Sequence, residues 1–146
     1  MIESEVAQAV ATVAAGLFTG AAIYINVAEH PARMECGVPL AVTVFGPSYR
    51  RAAVMQALLA IIGSVAGVIA WLLGGCVSWL IGSALLFFVV PFTLLVILGT
   101  NKRLLDPGLD RNSDEARDLL IKWGRLHAVR SVAGAASFLF FALSKG

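Results

Sequence analysis

The stretch Ala52–Gly99, AAVMQALLAIIGSVAGVIAWLLGGCVSWLIGSALLFFVVPFTLLVILG, decides the fold. It contains no charged residue, and Gly74–Gly75 divides it into two runs, about 52–73 and 76–99. A helix needs roughly 20 residues to cross a hydrocarbon core of about 30 Å, and each run has that length. The glycine pair predicts a tight turn that lays the two helices side by side and antiparallel. Two further runs, about 6–28 and 123–143, are long enough as well. The first is uncharged; the second carries Arg125, His127 and Arg130 in its first two turns.

Working outward, the whole chain of 146 residues is 59% hydrophobic with a mean hydropathy of +0.86. That excludes an ordinary water-soluble domain and leaves room for one transmembrane domain, residues 1–146. The predicted fold is all-α: an integral, multi-pass membrane four-helix bundle with up-down topology. A net charge of +2 says little, because the placement of charges matters more. Loops 29–51 and 100–122 hold Arg33, Arg50, Arg51, Lys102, Arg103, Arg111, Arg117 and Lys122. The Gly74–Gly75 turn has none, and the termini offer only Glu3, Glu5 and Lys145. By the positive-inside rule both charged loops are cytoplasmic and both termini lie on the non-cytoplasmic side.

Met1–Glu5 lacks a basic segment, so the first run is expected to be a retained helix and not a cleaved signal. Cys36 and Cys76 are expected on opposite sides of the membrane, as packing residues without disulfide or metal spacing. Glycine pairs Gly16/Gly20 and Gly63/Gly67 are expected at close helix contacts. Pro31 is expected to end or kink the first helix, and Pro91 to kink the third. The Gly- and Pro-broken apolar segment 32–51 is expected as an interfacial loop or a lid folded over the bundle. Ser113, followed by Asp114 and Glu115, is an N-cap signal for a helix leading into the fourth span.

The polar residues gather at one end. Gly20–Arg33 runs from apolar into Tyr24, Asn26, Glu29, His30 and Arg33. Tyr49 and Gln56 open the second span, and Asn101 closes the third. Trp123, His127, Arg130 and Gly134 share one stripe of the fourth helix, and ionisable members of a stripe within a span belong inside the bundle. His30 and His127 are predicted to approach each other across a shared cavity. His or Glu as base beside Arg130 or Arg33 as anion partner suits an acidic or phenolic hydrophobic molecule arriving from lipid. The alternatives are a polar plug that fixes helix register, in a small subunit binding lipid or a partner protein, and an iron or haem site on His30 and His127 with Glu29.

These residues resemble a known family. The pattern Tyr24-Ile-Asn26…Glu29-His30-Pro31-Ala-Arg33, Tyr49-Arg50, Gln56, Pro91…Asn101-Lys102-Arg103-Leu104 and Trp123-Gly-Arg-Leu-His127-Ala-Val-Arg130 is similar to the small four-helix anthrone oxygenase-like proteins. The chain departs from the pattern at Val44-Phe45-Gly46-Pro47, where relatives carry a Trp shortly before the Tyr, and that leaves substrate specificity open. The resemblance implies a monooxygenase that converts an anthrone to its quinone with O2, without metal or flavin. It implies His127 or His30, with Glu29 nearby, as base and Arg130 as oxyanion partner. Tyr24, Asn26 and Gln56 would orient the substrate, with Arg33, Tyr49, Asn101 and Trp123 lining the site. The expected partners are membrane lipid, a hydrophobic aromatic molecule and O2, in a homo-oligomer or larger membrane assembly; no nucleic acid is expected.

Overall fold

The computed structural model describes residues 1–144 of the chain, so Lys145 lies outside the described residues. It contains four long helices: α1 (Ile2–Glu35), α2 (Val38–Leu72), α3 (Val77–Leu104) and α4 (Asp114–Leu143). Each is long and apolar enough to cross a membrane. They form a ring in which α1 and α3 each pack against both α2 and α4.

The packing inverts that of a water-soluble protein. Buried positions are dominated by small residues, including Ala7, Ala11, Ala15, Ala22, Ala60, Ala66 and Ala70, around a few large ones such as Phe18, Trp79, Leu86 and Phe141. Large apolar side chains, among them Leu17, Val27, Leu58, Ile62, Phe87, Leu95 and Val132, point outward. Lipid solvates such a surface as well as protein does, so helices associate through close packing of small residues. Gly67 is one such contact: a Cβ there would lie 2.2 Å from Ser83 Oγ and 2.7 Å from Phe141 Cζ. Gly20 is not, since nothing lies within 4 Å of the same position.

Two expectations about the first half of the chain are corrected. Pro31 does not end α1. A π-helical turn over Ile25–Glu29 precedes it, His30 stays helical with its N–H on the Ile25 carbonyl, and the helix runs on to Glu35. A wide turn relieves the clash that a proline ring makes with the carbonyl one turn back. Pro91 in α3 is instead followed by a wide turn, Thr93–Ile97.

Segment 32–51 is neither loop nor lid. The chain reverses at Cys36–Gly37, where Gly37 takes φ +95°, and α2 begins at Val38. Pro39 sits in the first helical turn, where no N–H is needed. Val38, Ala41, Val42 and Phe45 form a buried stripe at helical spacing, packed with Leu104, Leu109 and Leu120. Helical continuity places Ser48, Tyr49 and Ala52 on the inner face of α2, which a lid would not.

The α1–α2 turn and the α3–α4 connection meet at one end of the bundle. Leu109 joins the same cluster as Val38 and Phe45, and the Arg111 guanidinium donates to Thr43 Oγ1 at 2.9 Å. Arg103 holds the connection by bonding Asp106 at 2.6 Å and Glu115 at 2.7 Å. Ser113 caps α4, its Oγ accepting the Ala116 N–H at 3.1 Å.

Candidate functional site

The site is built at that end from α1, α2 and α4. Its centre is His127, only 1% exposed. Asn26, in the wide turn of α1, donates from Nδ2 to the Gly124 carbonyl at 3.0 Å, which fixes the amide. Its Oδ1 then accepts the Ser131 hydroxyl at 2.6 Å and faces His127 Nδ1 at 2.7 Å. An amide oxygen accepts and cannot donate, so Nδ1 carries the proton and the lone pair of the neutral imidazole sits on Nε2. Nε2 makes no hydrogen bond to the described residues and His127 lines a small cavity.

Arg130 lines the same cavity, one turn further along α4. Its Nη2 donates to Gln56 Oε1 at 2.8 Å, and its Cζ lies 5.8 Å from the Phe18 ring centroid. The side chain is therefore held inside the bundle. Among the described residues the ion pairs involve Arg33 with Glu29 and Arg103 with Asp106 and Glu115; Arg130 has no carboxylate. Because a guanidinium can only donate, Gln56 must present Oε1 to it, leaving Nε2 as a buried donor without an acceptor.

Trp123 forms the back wall. Its indole N–H donates to Asn101 Oδ1 at 2.9 Å. Its ring stacks on His127 at 4.8 Å, meets Phe45 edge-on at 5.2 Å, and lies under the Arg33 guanidinium at 5.9 Å. Arg33 also pairs with Glu29, whose Oε1 accepts the Ser48 hydroxyl at 2.6 Å and so ties α1 to α2. The cavity enclosed by Ile25, Arg33, Phe45, Ser48, Tyr49, Gln56, Trp123, His127 and Arg130 measures about 20 Å³, room for roughly one water.

The predicted residues divide clearly. Asn26, Arg33, Tyr49, Gln56, Trp123, His127 and Arg130 are brought together. Asn101 is buried behind Trp123, outside the cavity wall, and Glu29 is engaged by Arg33 and Ser48. Tyr24 points away and is 61% exposed. The shared cavity between the two histidines is not formed: His30 is buried against the Trp123 ring at 5.2 Å and against Gly124, where a Cβ would lie 2.8 Å from its Nε2. His30 packs beside the site and His127 faces into it. No three His, Cys, Asp or Glu among the described residues cluster as they would around a metal ion. Sequence reasoning missed Ser131, one helical turn from His127, and Phe45 and Ser48, which the loop assignment of segment 32–51 concealed.

Four apolar spans enclosing a buried imidazole and amide and a half-buried guanidinium define a small membrane protein with an internal polar site. Residues 45–140, about two-thirds of the chain, match the anthrone oxygenase family. The chain belongs to that family. The matched span contains Gln56, Trp123, His127 and Arg130, while α1 with Asn26 and His30 precedes it. No curated protein and no solved structure matches the chain.

Proposed function

We propose that the protein is a cofactor-independent monooxygenase that oxidises the methylene of an anthrone-like, phenolic hydrophobic substrate with O2. The charged connections face the cytoplasm and both termini face the opposite side. The reading rests on one observation: an imidazole with a free Nε2 and a guanidinium without a carboxylate share one buried cavity.

His127 Nε2 takes a proton from the methylene carbon. The electron pair left behind delocalises onto the substrate carbonyl oxygen, and Arg130 with Gln56 Nε2 holds the resulting phenolate. Electron transfer from this anion to O2 and recombination form a C–O bond, giving a hydroperoxide whose terminal oxygen takes the proton from His127. Loss of the second C–H proton forms the carbonyl while the O–O bond breaks and hydroxide leaves, to be protonated to water. All the electrons that O2 accepts come from the one carbon. Each oxygen molecule puts one atom in the quinone and one in water, so no external reductant is required. The protein supplies a base, a preorganised anion site and a dry enclosure, the terms that dominate such catalysis.

The test is oxygen uptake by purified protein in nanodiscs with a panel of anthrones, measured above spontaneous autoxidation. Uptake that His127→Ala abolishes and Arg130→Ala lowers by about 10²–10³-fold, with both variants folded and monodisperse, is the expected result. Protein-independent uptake across the panel, or unaltered uptake in both variants, overturns the reading.

A further inference from the structure

A second chamber adjoins the first. It measures about 180 Å³ and lies between α2 and α3, with Phe18 of α1 at its floor. Tyr49, Ala53, Gln56 and Arg130 line both chambers, so the Arg130–Gln56 pair is their common wall. The rest of the outer chamber is Ala57 and Ala60 on α2 and Val89, Val90, Thr93 and Leu94 on α3. Its one further polar group is spent, because Thr93 Oγ1 donates to the Val89 carbonyl at 2.7 Å.

The gap has a local cause. α2 presents alanines at 53, 57 and 60, one face of a helix, and α3 is interrupted opposite them by Pro91 and the wide turn Thr93–Ile97. Phe18, Gln56, Ala60 and Val89 are buried, whereas Ala57 and Leu94 are exposed, so the chamber opens outward between them. The surface around this mouth is Val54, Leu58, Ile61 and Leu95, all exposed and apolar. The mouth therefore faces the hydrocarbon of a bilayer.

We propose that this chamber is a lateral portal and ring-binding site, through which a planar aromatic molecule enters from the membrane and presents one oxygen to Arg130 and Gln56. The proposal deepens the oxygenase reading and rests on it for the identity of that molecule. Two features select such an occupant. Gln56, 1% exposed, holds an Nε2 donor without an acceptor at the inner end, beside a guanidinium without a carboxylate, so the ligand must bring an oxygen there. Outside that point the lining is apolar apart from the Tyr49 phenol and the engaged Thr93 hydroxyl, so the remainder must be largely apolar.

Volume sets how much of the ligand is enclosed. A dry cavity of about 150 Å³ holds benzene. The outer chamber thus encloses roughly one ring and part of a second, and a tricycle projects its far ring through the mouth into lipid. Substituents on that far ring are tolerated; bulk on the ring next to Arg130 is not. The inner chamber, with room for about one water, is too small for a ring, so His127 Nε2 takes the methylene proton through the one water it can hold.

The test uses 1,8-dihydroxyanthraquinone, an already oxidised and unreactive tricycle, titrated into protein in phosphatidylcholine nanodiscs and followed by tryptophan quenching. Ala57→Phe and Leu94→Trp narrow the mouth from opposite helices, and Leu58→Phe adds the same bulk on the neighbouring lipid face outside the chamber. Each narrowing variant is expected to weaken binding at least tenfold, with Leu58→Phe at the wild-type value. Wild-type affinity in both narrowing variants, or no saturable binding to the wild type, overturns the portal. Weakened binding without any oxygen uptake by the wild type upholds the portal and removes the oxygenase reading. Full uptake and full binding in both narrowing variants do the reverse.

Discussion

Replacing Asn26 by leucine removes the acceptor that holds the His127 proton on Nδ1 while keeping similar volume. In the native site Nδ1 lies 2.7 Å from Asn26 Oδ1, and the Ser131 hydroxyl, 2.6 Å from the same oxygen, reinforces the orientation. His127 is 1% exposed, so no bulk water replaces the lost acceptor. A buried donor left unsatisfied costs about 1–3 kcal/mol. Taken from the Nδ1–H tautomer alone, that amounts to a shift of roughly 5- to 150-fold toward Nε2–H, the form that cannot act as base. Asn26→Asp keeps an acceptor at the same place and is expected to preserve the native tautomer. The direct assay is 15N NMR of selectively labelled histidine, which distinguishes the two ring nitrogens without requiring turnover. Native Nδ1–H in Asn26→Leu, with the variant folded, would refute the positioning argument. In turnover the same variant should lower kcat much more than it alters KM, and Asn26→Asp should restore it.

Other consequences are tested separately. Arg130→Ala should lower kcat by about 10²–10³-fold, the usual effect of removing one anion-stabilising donor, with Arg130→Lys recovering part of it; oxygen uptake measures both. Gly67→Ala forces a methyl to 2.2 Å from Ser83 Oγ and should destabilise the bundle by about 1–3 kcal/mol, read as a lower midpoint in detergent unfolding. Asp106 lies in the α3–α4 connection, where the Gly108 N–H and the Arg103 guanidinium hold its carboxyl below its ordinary value of 3.8. A depressed carboxylate stabilises the fold above its unfolded pKa and loses that contribution as pH falls through the folded one. Melting temperature should therefore drop below about pH 4 by less in Asp106→Ala than in the wild type, and equal slopes would count against this link.

Much of this molecule could be read from residue patterns, and the failures have identifiable physics. The charge-free run Ala52–Gly99 and its glycine pair specify two helices because lipid leaves a backbone few other choices. The gathering of Asn26, Gln56, His127 and Arg130 was legible as well, since polar side chains within apolar spans must face each other. Pro31 and Pro39 misled for a shared reason, while Pro47 simply lies inside the continuous helix α2. A proline costs a helix least in its first turn or beside a wide turn, and a sequence does not announce where a π-helical turn forms. The breaks at Pro39 and Pro47 make segment 32–51 read as a loop, although Val38, Ala41, Val42 and Phe45 have helical spacing. The two histidines were separated by an effect that no spacing rule carries: Gly124 lets the His30 ring sit against the backbone of α4, behind Trp123, and out of the cavity.

The most direct test of the central claim is the fate of labelled oxygen. Purified protein in nanodiscs, given an anthrone under 18O2 in ordinary water, should yield quinone with one labelled oxygen at the former methylene carbon and a matching amount of labelled water. The protein-dependent part of that yield should vanish in His127→Ala. An unlabelled quinone, hydrogen peroxide in place of labelled water, or a yield indifferent to His127 would contradict the account.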